Sequence, residues 1–443
     1  MRRITNIIMI SIFKIFLEIA YYQISNLYIY GGIYYYEFIL NKYIIGWFIC
    51  VSGSTLLWFF VDNIDKNIFP ITHYSLQILF YLNFVPTCAI YGISDYSSKA
   101  FVLFIIFWMI IFVTGYFTGK IKHKLPLLAF DKESIKIQEI LLVCLICICT
   151  IFIIAENYKY NNGIRINIDL SDTYVIREEY SESASTLEGL LMFAFGGVIN
   201  PFLALYSLEK HKYKCFIFFL IIQILDFSIA GHKTQLFLIP AAIIVKWILK
   251  HGVGKYLSFC FMTLSGIGLF LWVKFSFLPV IDMFLRRMFL VPSILNFKYI
   301  EYFSAHPKLY FTEDLLFSRI LAGLGINRPY SQAAGTTISM FWTGSAGYSN
   351  NGLFGYAYAD CGFIGVILSA VILIIIFRFM DYLGRSFGIQ IVSLSIVLIA
   401  VNILSVSIST LFYNVLLPFV LVCFVCYKNP IFDKRKGITI VSK

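Results

Sequence analysis

The stretch FVLFIIFWMIIFVTGYFTG, Phe101–Gly119, carries no charged side chain anywhere along its length. An apolar run of about 20 residues, coiled as a helix, matches the ~30 Å hydrocarbon core of a bilayer. Comparable blocks recur at Ile140–Ala155, Phe216–Ser228 and Ile364–Phe377. None alternates apolar and polar side chains as a barrel strand does. Backbone in lipid must satisfy its own hydrogen bonds, so these blocks are helices. Composition agrees: of 443 residues 60% are hydrophobic and 13% charged, with mean hydropathy +0.82, whereas a soluble domain carries about 25% charged residues. The fold class expected is all-α, a polytopic integral membrane protein forming a single domain over 1–443. It has about 12 spans, placed roughly at 5–28, 43–61, 71–91, 100–119, 138–156, 188–208, 213–230, 233–249, 256–277, 352–377, 387–405 and 411–427.

Met1-Arg2-Arg3 opens on an apolar run that Lys14 and Glu18 interrupt, with no small-residue cleavage site after it, so the first span stays uncleaved. With the N-terminus inside, 21 Lys and Arg fall in inner connections, from Arg2 and Arg3 through Lys120, Lys122 and Lys124 to Lys434, Arg435 and Lys436. Only three, Lys42, Lys99 and Lys233, fall in short outer loops. This asymmetry places both termini in the cytoplasm. It also accounts for the net charge of +11 without nucleic acid as a partner. Two long connections remain outside, 157–187 and the large loop 278–351, where short interfacial helices are expected; connections of this length are commonly functional. The ten cysteines lie in or beside apolar segments and outside both loops, and Cys144, Cys147 and Cys149 suit helix packing better than metal binding. No internal repeat relates the two halves, which weighs against a transporter built from repeats.

In 281–291, Ile281, Phe284, Leu285, Met288 and Phe289 follow helical spacing and make one apolar stripe that Pro292 ends. Such a helix lies in the membrane interface. Arg286 and Arg287 on its other side suit a phosphate or pyrophosphate, because guanidinium offers a planar fork; anionic lipid headgroups are the plainer occupant. His306, before Pro307, is either a base for a sugar hydroxyl or a surface histidine at a turn. Arg319 and Arg328 are weaker phosphate binders, and Glu313-Asp314 lie nearby. The earlier loop offers Arg165 and Arg177-Glu178-Glu179-Tyr180 with Tyr174, a sugar-binding surface or a solvated charge run. Asp226 lies within a span, where a carboxylate points to function; His232 and Lys233 follow, and an Asp226–Lys233 salt bridge is the structural alternative. Gly352, Gly355, Gly362 and Gly365 permit close helix approach, with Asp360 among them.

The segment Asn351-Gly-Leu-Phe-Gly-Tyr-Ala-Tyr-Ala-Asp-Cys-Gly-Phe-Ile-Gly365, with Arg286-Arg287, Pro292, Phe303, His306-Pro307 and Ser228/Gly231-His232-Lys233, resembles the Wzy-type O-antigen (oligosaccharide repeat unit) polymerases. The long outer loop before the last three spans is similar too. The Arg-x10-Gly spacing of some members is not kept, since Gly189 follows Arg177 one position late. The resemblance implies inverting, metal-independent glycosyl transfer at the periplasmic face of a bacterial inner membrane, with no cofactor. Its partners would be undecaprenyl-pyrophosphate-linked glycans, membrane lipids and a chain-length regulator. A repeat-unit flippase and an O-antigen ligase are the rival readings. Reporter fusions after Arg177 and Pro307 are expected to behave as extracytoplasmic; cytoplasmic behaviour at both would reverse the orientation.

Overall fold

A computed structural model describes residues 2–30, 33–120, 132–161, 163–166, 173–252, 256–314 and 317–427. The side chains of Arg2, Arg3, Tyr174 and Glu178, and all of Lys122, Lys124, Lys434, Arg435 and Lys436, lie outside this description. The described residues form helices and no strand. Among the described residues nine helices are long and apolar enough to cross a membrane, including Ile4–Ser25, Ser98–Lys120, Lys136–Asn161 and Leu353–Phe387. The other three expected spans are helical as well, but shorter, interrupted or less apolar: Pro70–Tyr91 in consecutive pieces, Lys233–Lys250 with Pro240 inside it, and Ile389–Asn402. Ile148 and Ile151 on Lys136–Asn161 are 58% and 66% exposed, an outer surface suited to lipid rather than water. The ten cysteines are free thiols.

The helices gather into two compact units. The first takes described residues within Met1–Lys122, His251–Arg378 and Ile399–Leu411; the second those within His123–Lys250, Phe379–Leu398 and Phe412–Lys443. In the first, Phe13 packs edge-on against Phe289 at 5.4 Å and against Tyr81 at 6.4 Å. In the second, Phe202 meets Phe387 at 5.3 Å and Phe419 at 5.7 Å. The charges in the first span are reconciled with burial locally. Lys14, wholly buried, pairs with Glu18 one turn on and lies 4.4 Å from the Trp47 ring and 5.0 Å from Tyr43.

Proline sets a second local rule. Among the described residues four segments wind as π-helix: Phe80–Phe84, Phe195–Ile199, Val280–Leu290 and Phe412–Leu416. Each runs straight into an α-helix whose second residue is proline: Pro86, Pro201, Pro292 and Pro418. A proline within an α-helix clashes with the carbonyl four residues back and leaves it without a donor. Widening the preceding turn to five-residue bonds relieves the clash, as in Val85 N–H to Phe80 O, Asn200 N–H to Phe195 O and Val291 N–H to Arg286 O. Pro292 therefore continues the helix instead of ending it. The expected α-stripe is replaced by a π-stripe in which Ile281, Leu285 and Phe289 are buried while Phe284 and Met288 are only partly covered.

Part of the expected outer loop is thus core. Val291–Ala305 buries Ile294, Leu295, Phe297, Tyr299, Ile300 and Phe303. Asn296 donates to Thr87 Oγ1 at 3.1 Å, and Phe297 stacks on Tyr96 at 4.6 Å. The glycines divide in function. Gly352 allows the close approach expected, since a Cβ there would stand 1.8 Å from the Ile403 carbonyl. Gly362, at φ +59°, instead breaks its helix. Gly352→Ala must displace backbone and is expected to cost about 1–3 kcal/mol, read as a lowered unfolding temperature in detergent. Gly189→Ala, with nothing within 4 Å, should leave that temperature unchanged or raise it.

Candidate functional site

The first unit contains a polar cleft of about 160 Å³ lined by Leu309, Phe311, Glu313, Asp314, Tyr348, Asn350, Tyr356, Asp360, Ser405, Val406, Ser407, Ser409 and Thr410. Its geometry originates in the break at Cys361 and Gly362, where φ/ψ leave the helical region. The break removes the helical donors of the carbonyls just before it, and the loop after Pro307 replaces them. Leu309 N–H donates to Ala359 O at 2.8 Å, Tyr310 N–H to Asp360 O at 3.2 Å, and Phe311 N–H to the Asp360 carboxylate at 3.3 Å. To make these bonds Tyr310 and Phe311 adopt φ of 49° and 61°. Two bulky residues in the left-handed region are strained, and strain of this kind collects at functional sites. Lys308 is anchored over the Tyr358 ring at 3.8 Å and donates to Phe303 O; burial depresses its pKa, against the opposing pull of Tyr358.

Glu313 links the cleft to the rest of the expected site. It accepts from Arg328 at 2.8 Å and from Ala334 N–H at 2.8 Å, at the start of helix Ala334–Thr343. Arg328 is therefore tied to a carboxylate, and Arg319 is exposed on the short helix Phe317–Gly323. Near the other end of Ala334–Thr343, roughly 12 Å along its axis at 1.5 Å per residue, Trp342 meets Tyr34 edge-on at 5.8 Å.

Tyr34 in turn holds Arg286, accepting from Nη1 at 2.8 Å. Asp282 accepts from Arg286 Nε at 2.6 Å and from the Tyr30 hydroxyl at 2.5 Å, and the Tyr30 ring lies 4.7 Å from the guanidinium. Burial pushes the Tyr30 hydroxyl up to about 12, with its bond to Asp282 adding to the shift. Burial alone would raise Asp282, but the Tyr30 bond and the Arg286 and Arg287 charges outweigh it and hold this carboxyl below its usual range. The two arginines are therefore not equivalent. The Arg286 fork is engaged within the fold and its side chain is 14% exposed; that of Arg287 is 50% exposed, its Nε 3.9 Å from Asp282.

His306 ends helix Val291–Ala305 and stacks flat on Tyr302 at 4.0 Å. Its Nδ1 lies 2.8 Å from Tyr302 O. A carbonyl only accepts, so Nδ1 carries a proton. Tyr330 and Phe341 flank the same Tyr302, forming an aromatic surface.

The remaining expected residues belong to the second unit. Arg165 is held through its backbone by Asn157, at 2.9 Å and 3.0 Å, with its side chain exposed. Arg177 Nη2 donates to Gly231 O at 3.3 Å. Burial, with the Arg177 charge adding, pushes His232 down to about 4, so this ring is neutral near pH 7. Lys233 opens helix Lys233–Lys250. Asp226 is wholly buried, and neither carboxylate oxygen has a hydrogen-bond partner, so the salt bridge to Lys233 does not form.

Tyr30, Tyr34, Asp282 and the hydroxyl row Ser405–Thr410 were not anticipated. The one available signal was Ser-Val-Ser-Ile-Ser-Thr at 405–410, unusually polar between two apolar spans. Among the described residues no three His, Cys, Asp or Glu are grouped to hold a metal ion. No family model, curated protein or solved structure matches the chain.

Arg286→Ala leaves Asp282 only Tyr30 and the more distant Arg287 and should cost about 1–3 kcal/mol, whereas Arg287→Ala should stay within about 0.5 kcal/mol of the parent, both measured by unfolding in detergent. The stability from Asp282 is complete above the ordinary carboxylate range and lost as pH falls through its lowered folded value. Asp282→Asn should therefore flatten the acid limb of a stability-against-pH curve.

Proposed function

We propose that this chain is a glycosyl-transferring polymerase that joins polyprenyl-pyrophosphate-linked oligosaccharide repeat units at the membrane surface. The observation that carries the reading is the cleft beside the broken helix. Glu313, Asp314 and Asp360, Asn350, the tyrosines 348 and 356 and four Ser/Thr hydroxyl residues line it. Such a lining offers sugar hydroxyls both donors and acceptors, and tyrosine rings offer sugar faces an apolar surface. A lipid-linked substrate reaches a cleft of this kind without leaving the bilayer.

In this reading the acceptor sugar lies in the cleft and its hydroxyl oxygen attacks the anomeric carbon of the donor glycan. The bond from that carbon to pyrophosphate breaks, and its electron pair leaves with the polyprenyl pyrophosphate. The charge on that leaving group calls for a cation; Arg287 is the more exposed of the two arginines, but it lies beyond the helix Ala334–Thr343 from the cleft and outside its lining. Arg286 keeps the helix and Asp282 in place. The hydroxyl proton passes to Asp360, which lines the cleft, whereas His306 lies outside the lining and serves with Tyr302 as a stacking surface. In this reading the base is a carboxylate, and His306, which the sequence offers as either a base or a surface histidine, takes the second role.

The test uses the full chain in vesicles with a polyprenyl-pyrophosphate-linked oligosaccharide. Products longer by whole repeat units, still lipid-linked, are expected. Transfer only to a different lipid acceptor would make the protein a ligase, and movement across the bilayer without elongation a flippase. Asp360→Asn should lower turnover by about 10² or more, and His306→Ala by clearly less. The reverse order would return the base to His306.

A further inference from the structure

We propose that the second unit contains a binding site for a small monovalent cation of the sodium class, built from Asp226 and Gln235 against the π-turn Phe195–Ile199. In the π register, Pro201 leaves the Gly196 carbonyl without its helical donor. Gln223 supplies one, its Nε2 donating to Gly196 O at 2.8 Å and to Gln235 O at 3.1 Å. Asn200 holds Gln223 by donating to its Oε1 at 2.7 Å. This network fixes the π-turn and the helices Tyr213–Ala230 and Lys233–Lys250 around one point.

Two buried side chains lie against neighbouring residues of this turn without hydrogen-bond partners. Asp226 is 0% exposed and Gln235 3%. Both carboxylate oxygens of Asp226 and both ends of the Gln235 amide lack a hydrogen-bond partner. Asp226 lies so close to Gly196 that a Cβ on that glycine would stand 2.1 Å from its oxygen, and one on Gly197 would stand 3.6 Å from Gln235 Nε2. Burying such groups unsatisfied is costly, and for the three oxygens the cost is offset by a ligand that presents positive charge. One carboxylate balances one positive charge, and the Gln235 amide oxygen supplies a neutral oxygen ligand. Distorted helix turns in membrane proteins are suited to such ions because they expose oxygens that a regular helix occupies.

The experiment is thermal unfolding of the purified full-length protein in detergent, in sodium chloride against choline chloride at equal ionic strength, together with equilibrium dialysis against ²²Na⁺. A saturable rise in unfolding temperature with sodium and saturable retention of the isotope are expected. Asp226→Asn and Gln235→Ala should each remove the sodium-specific rise. Absence of saturable retention by the unsubstituted protein overturns the proposal even if a variant does not fold. So does an Asp226→Asn protein that is folded and still responds to sodium. Polymerase activity takes no part in either readout, so the site stands or falls apart from the proposed reaction.

Discussion

Every backbone carbonyl inside a bilayer must find a donor within the protein, and the four helices whose proline follows a π-turn are shaped by that demand. Each proline removes one donor, and each helix answers by opening the turn before it. The open turns then gather polar groups. Gln223 serves the π-turn before Pro201. Asn83, on the π-turn before Pro86, accepts from Trp108 Nε1 at 3.4 Å, while its carbonyl takes the Thr87 hydroxyl at 2.7 Å. The turn before Pro292 carries Arg286 and Arg287. Polar chemistry in this molecule is concentrated where the helical register has been disturbed.

The break at Cys361–Gly362 is the same constraint in stronger form. Two carbonyls lose their donors and a loop from elsewhere in the chain supplies replacements, at the cost of two left-handed aromatic residues. That exchange brings Asp360 to the surface of a cleft instead of leaving it inside a continuous helix. The glycine-rich segment is therefore more than a packing device. One of its glycines admits a neighbouring backbone, and another creates the site.

The arginine pair shows how adjacent, chemically identical residues diverge. Around a π-helix successive side chains are separated by a smaller angle than around an α-helix, yet Arg286 is directed to Asp282, Tyr30 and Tyr34 while Arg287 remains half exposed. One guanidinium organises the fold and the other stays accessible. Charge type alone does not separate these roles; the partners do.

The sequence by itself determined the class of fold, because blocks such as Phe101–Gly119 have no stable alternative to a helix in lipid. It determined less about how the helices are disturbed: the sequence reads Pro292 as a stop and Gly362 as a packing residue, whereas Pro86, Pro201, Pro292 and Pro418 each follow a π-turn and Gly362 breaks its helix. It did not reveal how each disturbance is satisfied. That Gln223 serves Gly196, that the loop after Pro307 serves Ala359 and Asp360, and that tyrosines near residue 30 hold an arginine at 286 are contacts between distant parts of the chain. They depend on which helices become neighbours, and no local pattern encodes that. The same reason explains why the 278–351 segment, read as an outer loop from its polarity, contributes a buried helix at Val291–Ala305: its polar side chains are satisfied by the protein, and only the tertiary structure supplies those partners.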